Sequence, residues 1–190
     1  GQLLVNTVPG ADFQTPAGGS RGPALGSDGT TRFSWGGAME MRRQVADRYL
    51  VTMDDGVEVL HAGVGPRDTL SLTSGELEVL LDRPSASVGA VDGAGVDPRD
   101  EDALDLGGRA EILEVLARRK VFIRTSEQDV ECEVFDYEAA NQIAKLTARA
   151  GRLVTVLTKG SPTPVRAEGV TWDMKTGRIQ ISGAVGGATR

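Results

Sequence analysis

The chain has 190 residues, 39% hydrophobic and only 4% aromatic, with a formal net charge of −6 at pH 7. Such a length holds one sizeable domain or two very small ones, and so few large side chains suit a thin β-architecture better than a compact enzyme core. The 25 glycines follow no three-residue period, which excludes collagen; no apolar run approaches the ~20 residues of a membrane helix; and the acidic balance, without a long Lys/Arg run, speaks against nucleic acid as a partner.

Residues 1–31 are weakly patterned, with one short strand around Leu3, Leu4, Val5 and Val8 and a Gly/Pro-rich loop over 16–23. Period-two alternation begins at Phe33 and runs through Trp35, Gly37, Met39 and Met41, a spacing that suits a strand and not a helix. Tyr49, Val51 and Met53 precede Asp54-Asp55-Gly56, and Val57 and Val59 follow it. Asp-Gly between two alternating runs predicts a hairpin turn. Leu70 and Leu72, then Ser74-Gly75, then Leu77, Val79 and Leu81 predict a second hairpin. Residues 83–108 are polar, glycine-rich and acidic and read as a connecting loop.

Ala110 to Leu116 reads as a strand with a bulge that runs on into Val121 and Ile123, in preference to a turn or two of helix. The last third alternates most clearly: Val130, Cys132 and Val134; Ile143 or Ala144 with Leu146; Val154 and Val156; Val165 and Ala167; Val170, Trp172 and Met174; Ile179 and Ile181. Turn chemistry separates these runs, as at Lys175-Thr176-Gly177. An aromatic-Asp pair followed by a turn and a fresh strand occurs at Phe135-Asp136 and again at Trp172-Asp173, and the segment from Leu70 to Val79 is similar, a weak internal repeat. The fold class expected is all-β: one antiparallel module over 1–190 built from repeated hairpins. No secretory signal opens the chain, and the abrupt ends at Gly1 and Arg190 read as those of a segment of a longer protein.

Few residues invite chemistry. His61 is the sole histidine and Cys132 the sole cysteine, too few for a zinc site, and Cys132 alternates with Glu131 and Glu133 as a small buried hydrophobe would. No Gly-x-Ser-x-Gly elbow is present. Asp97-Pro98-Arg99-Asp100-Glu101-Asp102 offers oxygen ligands without the order of a dedicated calcium loop. Arg42-Arg43 and Arg118-Arg119-Lys120 are the densest basic spots and read as solvated strand ends or edge charges. The expectation is a protein that is no enzyme, with no catalytic residue, metal or cofactor.

The segment from Ala110 to Gly187 resembles the OstA-like β-jellyroll of the LptA and LptC proteins and of the amino-terminal domain of LptD, which carry lipopolysaccharide to the outer membrane. The resemblance rests on Leu116-Ala117-Arg118-Arg119-Lys120-Val121-Phe122-Ile123, on Val134-Phe135-Asp136-Tyr137-Glu138, and on the hairpin from Val165 to Ile179 containing Trp172-Asp173-Met174-Lys175-Thr176-Gly177. It implies an open, V-shaped jellyroll in the periplasm or elsewhere in the cell envelope, active in outer-membrane biogenesis. An apolar groove would take lipopolysaccharide or another amphiphile, and free sheet edges would pair with other jellyroll modules or a second copy. The inward-facing groove candidates are Phe33, Trp35, Met39, Met41, Val51, Met53, Val121, Ile123, Val130, Val134, Val170, Trp172, Met174, Ile179 and Ile181. The same alternation serves a closed, filled core equally well. On that reading the module is a scaffold that self-associates or docks a partner through its edges.

Overall fold

The structure is a computed structural model and describes residues 1–7, 25, 29–45, 47–63, 65, 68–82 and 103–184. Among the described residues eleven strands form one sheet: β1 (Gln2–Thr7), β2 (Gly29–Ser34), β3 (Met39–Val45), β4 (Arg48–Gly63), β5 (Thr69–Asp82), β6 (Ala103–Thr125), β7 (Gln128–Glu138), β8 (Ile143–Thr147), β9 (Val154–Thr158), β10 (Val165–Asp173) and β11 (Arg178–Ala184). The described residues contain no helix, and hence none long and apolar enough to cross a membrane. The all-β expectation holds. All pairings are antiparallel except one: β1 runs parallel to β6 while pairing antiparallel with β2, which closes β1, β2, β4, β5 and β6 into a hydrogen-bonded circuit. The loop expected at 16–23 and the candidate calcium residues of 97–102 lie outside the described residues. Of the connecting loop expected over 83–108, the last residues instead open β6 and pair with β1.

Both hairpins expected in the first half are continuous strands. Asp55 and Gly56 sit inside β4 with φ of 59° and 70°. They form a bulge: Asp54 faces Glu76 and Val57 faces Ser74, so β4 carries one residue more than β5 there. Ser74-Gly75 lies within β5, likewise unbroken. At the same level β6 holds a matching extra residue, with Arg118 facing Glu76 and Phe122 facing Thr73. Its bulge is Arg119-Lys120, at φ of 68° and 56°. Aspartate and glycine tolerate this left-handed region. Arginine and lysine do not, and holding them there costs about 1–2 kcal/mol per residue.

These irregularities line up as a seam across the whole sheet. Where β4 is bulged, its outer neighbour is cut in two: β2 pairs with the Glu58–Gly63 part of β4 and β3 with the Arg48–Met53 part. The link between them is tied down by Gly36 N–H to Asp55 O at 2.7 Å and Gly37 N–H to Asp54 O at 3.2 Å. On the other flank β9 and β8 share the same two neighbours, β7 and β10, end to end, with residues 148–153 turning between them. The unbroken alternation read from Phe33 to Met41 is therefore two strands meeting at the seam.

Burial changes step at the same line. In β5 the buried residues are Leu70, Leu72 and Ser74, then Leu77, Val79 and Leu81; in β7 they are Val130 and Cys132, then Phe135 and Tyr137. A three-residue step exchanges the two faces of a strand. In β4 and β6 the step is four residues, Met53 to Val57 and Ala117 to Val121, because each bulge absorbs one. All four strands thus change inner face together. The buried apolar residues described form one cluster, with Trp172, Tyr137, Phe33 and Phe135 its largest members, and the Phe135 and Tyr137 rings stack at 6.2 Å. Each such side chain contributes on the order of 1.5–3 kcal/mol.

Gly75 is a point of close approach between β5 and the β6 bulge. A Cβ there would stand 2.8 Å from the Cβ of Arg119 and 3.3 Å from its carbonyl oxygen. We predict that Gly75→Ala destabilises the fold by roughly 1–3 kcal/mol through overpacking, although the backbone of Gly75 is ordinary. Urea unfolding measures this, and a midpoint equal to that of the wild type would mean that the bulge does not press on β5.

Candidate functional site

The seam opens into a cleft of about 590 Å³ lined by Thr73, Ser74 and Gly75 of β5, Arg119 and Lys120 of β6, Glu133 of β7, and Arg149 and Arg152 of the β8–β9 turn. Most come from places where regular pairing lapses. The β5 segment lies between the two bulges, Glu133 stands at the face change of β7, and the turn is held by Arg152 N–H to Arg149 O at 2.8 Å. Arg119 pairs with Glu76 at 2.7 Å. Among the described residues, Lys120, Arg149 and Arg152 form no ion pair. The hydroxyl of Ser74 is buried without a partner among those residues.

The sequence suggests Arg118-Arg119-Lys120 as solvated strand ends or edge charges. They lie instead in the middle of the longest strand. The nearest signal was composition: three cations in a row amid apolar residues. Nothing local announces Arg149 and Arg152, which only the β8–β9 turn brings alongside. A second cleft, of about 380 Å³, adjoins the seam and has the opposite character, with Glu40, Asp54, Glu76 and Glu78 around Arg118.

The groove candidates distribute differently. Phe33, Val51, Met53, Val121, Ile123, Val130, Val170, Trp172 and Met174 are buried within the core cluster. Trp35, Met39, Met41 and Ile179 are half-buried and pack against it. Two candidates depart from the inward set. Val134 falls between Cys132 and Phe135, where β7 changes face, and is half-buried; Ile181 is 42% exposed because β11 is an edge strand. Met39 faces Met53, and Met41 faces Val51, across the β3–β4 pair. The core therefore reaches the surface at β3 through adaptable side chains. Deeper in, the indole N–H of Trp172 is buried with no protein acceptor among the described residues.

His61 and Cys132 are both buried. His61 is 2% exposed, with Nδ1 2.8 Å from the Thr31 hydroxyl. Burial pulls its pKa down to about 4, against a weaker opposing pull from Asp68. Burial pushes the Cys132 thiol up to about 12, and Glu133 and Glu131 add to the effect. The thiol is held protonated, without the thiolate a nucleophile or metal ligand requires. Among the described residues no group of three or more His, Cys, Asp or Glu could hold a metal.

Two predictions follow from these burials. Native Cys132 resists alkylation by iodoacetamide at pH 8 and reacts once urea unfolds the chain; rapid native labelling would contradict its packing. For His61 the folded pKa lies below the unfolded value of 6.5, so the unfolded chain binds the proton first. Stability from this group is present in full above pH ~6.5 and is lost as pH falls toward ~4, roughly 3 kcal/mol in all. Melting temperature should fall from pH 7 to 5 in the wild type, and His61→Gln should flatten that slope. Equal slopes would show that His61 is not the group responsible.

No family model matches this chain, and a search of curated proteins finds no match.

Proposed function

We propose that this chain is a non-catalytic, lipid-binding module of the cell envelope, an open V-shaped jellyroll like those that convey lipopolysaccharide across the periplasm. The observation that carries the reading is the half-buried fringe of Trp35, Met39 and Met41, continuous with the buried Val51 and Met53. An acyl chain entering there exchanges water for thioether and aliphatic surface, at about 0.8 kcal/mol per CH₂ buried. Within the interior the N–H of Trp172, without an acceptor among the described residues, offers a donor to an ester carbonyl. The non-catalytic reading draws support from the sole histidine and sole cysteine, both buried and held neutral.

Native mass spectrometry of the purified chain with lipid A tests the proposal. The wild type should acquire a lipid adduct, and Met41→Asp, which places a charge on the half-buried fringe, should cut occupancy by about tenfold or more; a centre-of-strand charge is costly to bury with lipid. A folded Met41→Asp variant that takes up lipid as the wild type does would overturn it.

A second reading, a scaffold assembled through sheet edges, is favoured by β11. Among the described residues its only partner is β10, and along Arg178–Ala184 it carries one charge, Arg178, where another edge, β3, carries Glu40, Arg42 and Arg43. Edges lacking charge are templates for further pairing. On this reading sedimentation velocity shows concentration-dependent oligomers that Ile181→Lys abolishes. A wild-type chain that remains monomeric at every concentration would rule it out.

A further inference from the structure

We propose that the cleft over the β6 bulge is a binding site for a phosphate ester of sugar-phosphate size, whether a free metabolite or a lipid headgroup. Three observations converge on it. First, the charge is concentrated: Arg119, Lys120, Arg149 and Arg152 face one carboxylate, Glu133, in a protein whose net charge is −6. A compact anion sees the local field of such a cleft, whereas a long polyanion would meet the acidic remainder of the surface. Second, three of the four cations have no internal ion pair among the described residues, so their charge is available to a ligand. Arginine forks match phosphate oxygens in bidentate fashion, and two of the three are arginines.

Third, the two bulges that flank β5 make an internal comparison. They occupy the same level of the sheet and the same left-handed conformation. On β4 the pair is Asp55-Gly56, residues suited to that backbone. On β6 it is Arg119-Lys120, which are not, although the seam would be made equally well by Asn-Gly. Strained residues held at a cleft mark places where side-chain chemistry outweighs backbone preference. Here that chemistry is positive charge, fixed by the bulge at the mouth of a cavity. The cleft also has hydroxyl chemistry at hand in Thr73 on its rim. Its volume, about 590 Å³, is that of a small-molecule pocket and exceeds what a single inorganic anion fills.

The double variant Arg119→Asn/Lys120→Gly tests the proposal because it replaces both cations with the residues the backbone prefers. Isothermal titration with glucose 1-phosphate, and co-sedimentation with phosphatidylcholine vesicles containing phosphatidic acid, read the two possible sources of the ester. The wild type should bind at least one probe, with affinity falling as salt is raised. The double variant should unfold at a higher temperature yet bind that probe at least tenfold more weakly, and Arg149→Ser/Arg152→Ser should weaken it comparably. Loss confined to the sugar phosphate assigns a soluble ligand, and loss confined to the vesicles assigns a headgroup; either supports the site. No binding of either probe by the wild type, or undiminished binding by a folded double variant, would overturn it.

Discussion

Side chains alternate along a β-strand, so a strand that must bury one face in its first half and the other in its second needs a three-residue step between buried positions. β5 takes that step between Ser74 and Leu77. Its neighbours must then either take the same step or absorb an extra residue, since otherwise every cross-strand pair beyond the line would set a buried side chain against an exposed one. β7 does the first; β4 and β6 do the second, with left-handed bulges. The cut between β2 and β3 and the turn between β8 and β9 meet the same requirement at the flanks, where the strand is interrupted instead of bulged. The two clefts lie along this line because regular side-chain cover lapses there.

The seam also organises charge. Arg118 pairs with Glu78, Arg119 with Glu76, and both pairs bridge β6 to β5 at the bulge. These arginine side chains are substantially exposed, so each bridge contributes little to stability, on the order of 0–1 kcal/mol. Their effect is to orient neighbouring guanidinium groups and to separate an acidic cleft on one side from a basic cleft on the other. Polar groups in the core are few by comparison. The His61–Thr31 contact joins β4 to β2 within the closed circuit, and its neutrality is a condition of its burial.

Much of the architecture was legible from period-two alternation alone. The strand content of the final third, the β7–β8 and β10–β11 hairpins, and the strand running from Ala110 through Val121 all follow from it. What could not be read was whether a turn signal ends a strand. Asp55-Gly56 has the left-handed preference that a tight hairpin and an in-strand bulge share, and only the partner strand decides between them. Ser74-Gly75 misleads for a related reason: Gly75 is there for the close approach of Arg119, a contact from a strand remote in sequence. The basic cleft was illegible on both counts. Arg119 and Lys120 carry no propensity for their conformation, and Arg149 and Arg152 join them through a turn. Among the apolar candidates, the misplacement of Val134 follows from extending one alternation across a face change that β7 inherits from its neighbours.

The parallel pairing of β1 with β6 has a consequence in time. β1 forms one side of its ladder with β2, but its other side is made by Ala103 through Ala110, from the far half of the chain. When β1 and β2 leave the ribosome that partner does not yet exist, and the two strands by themselves make a two-stranded ribbon, marginal in water. Leu3 and Val5 are buried in the finished fold. Contacts this distant in sequence are the late and slow ones. The circuit therefore cannot close before β6 emerges, and until then one edge of β1 stays open to other chains.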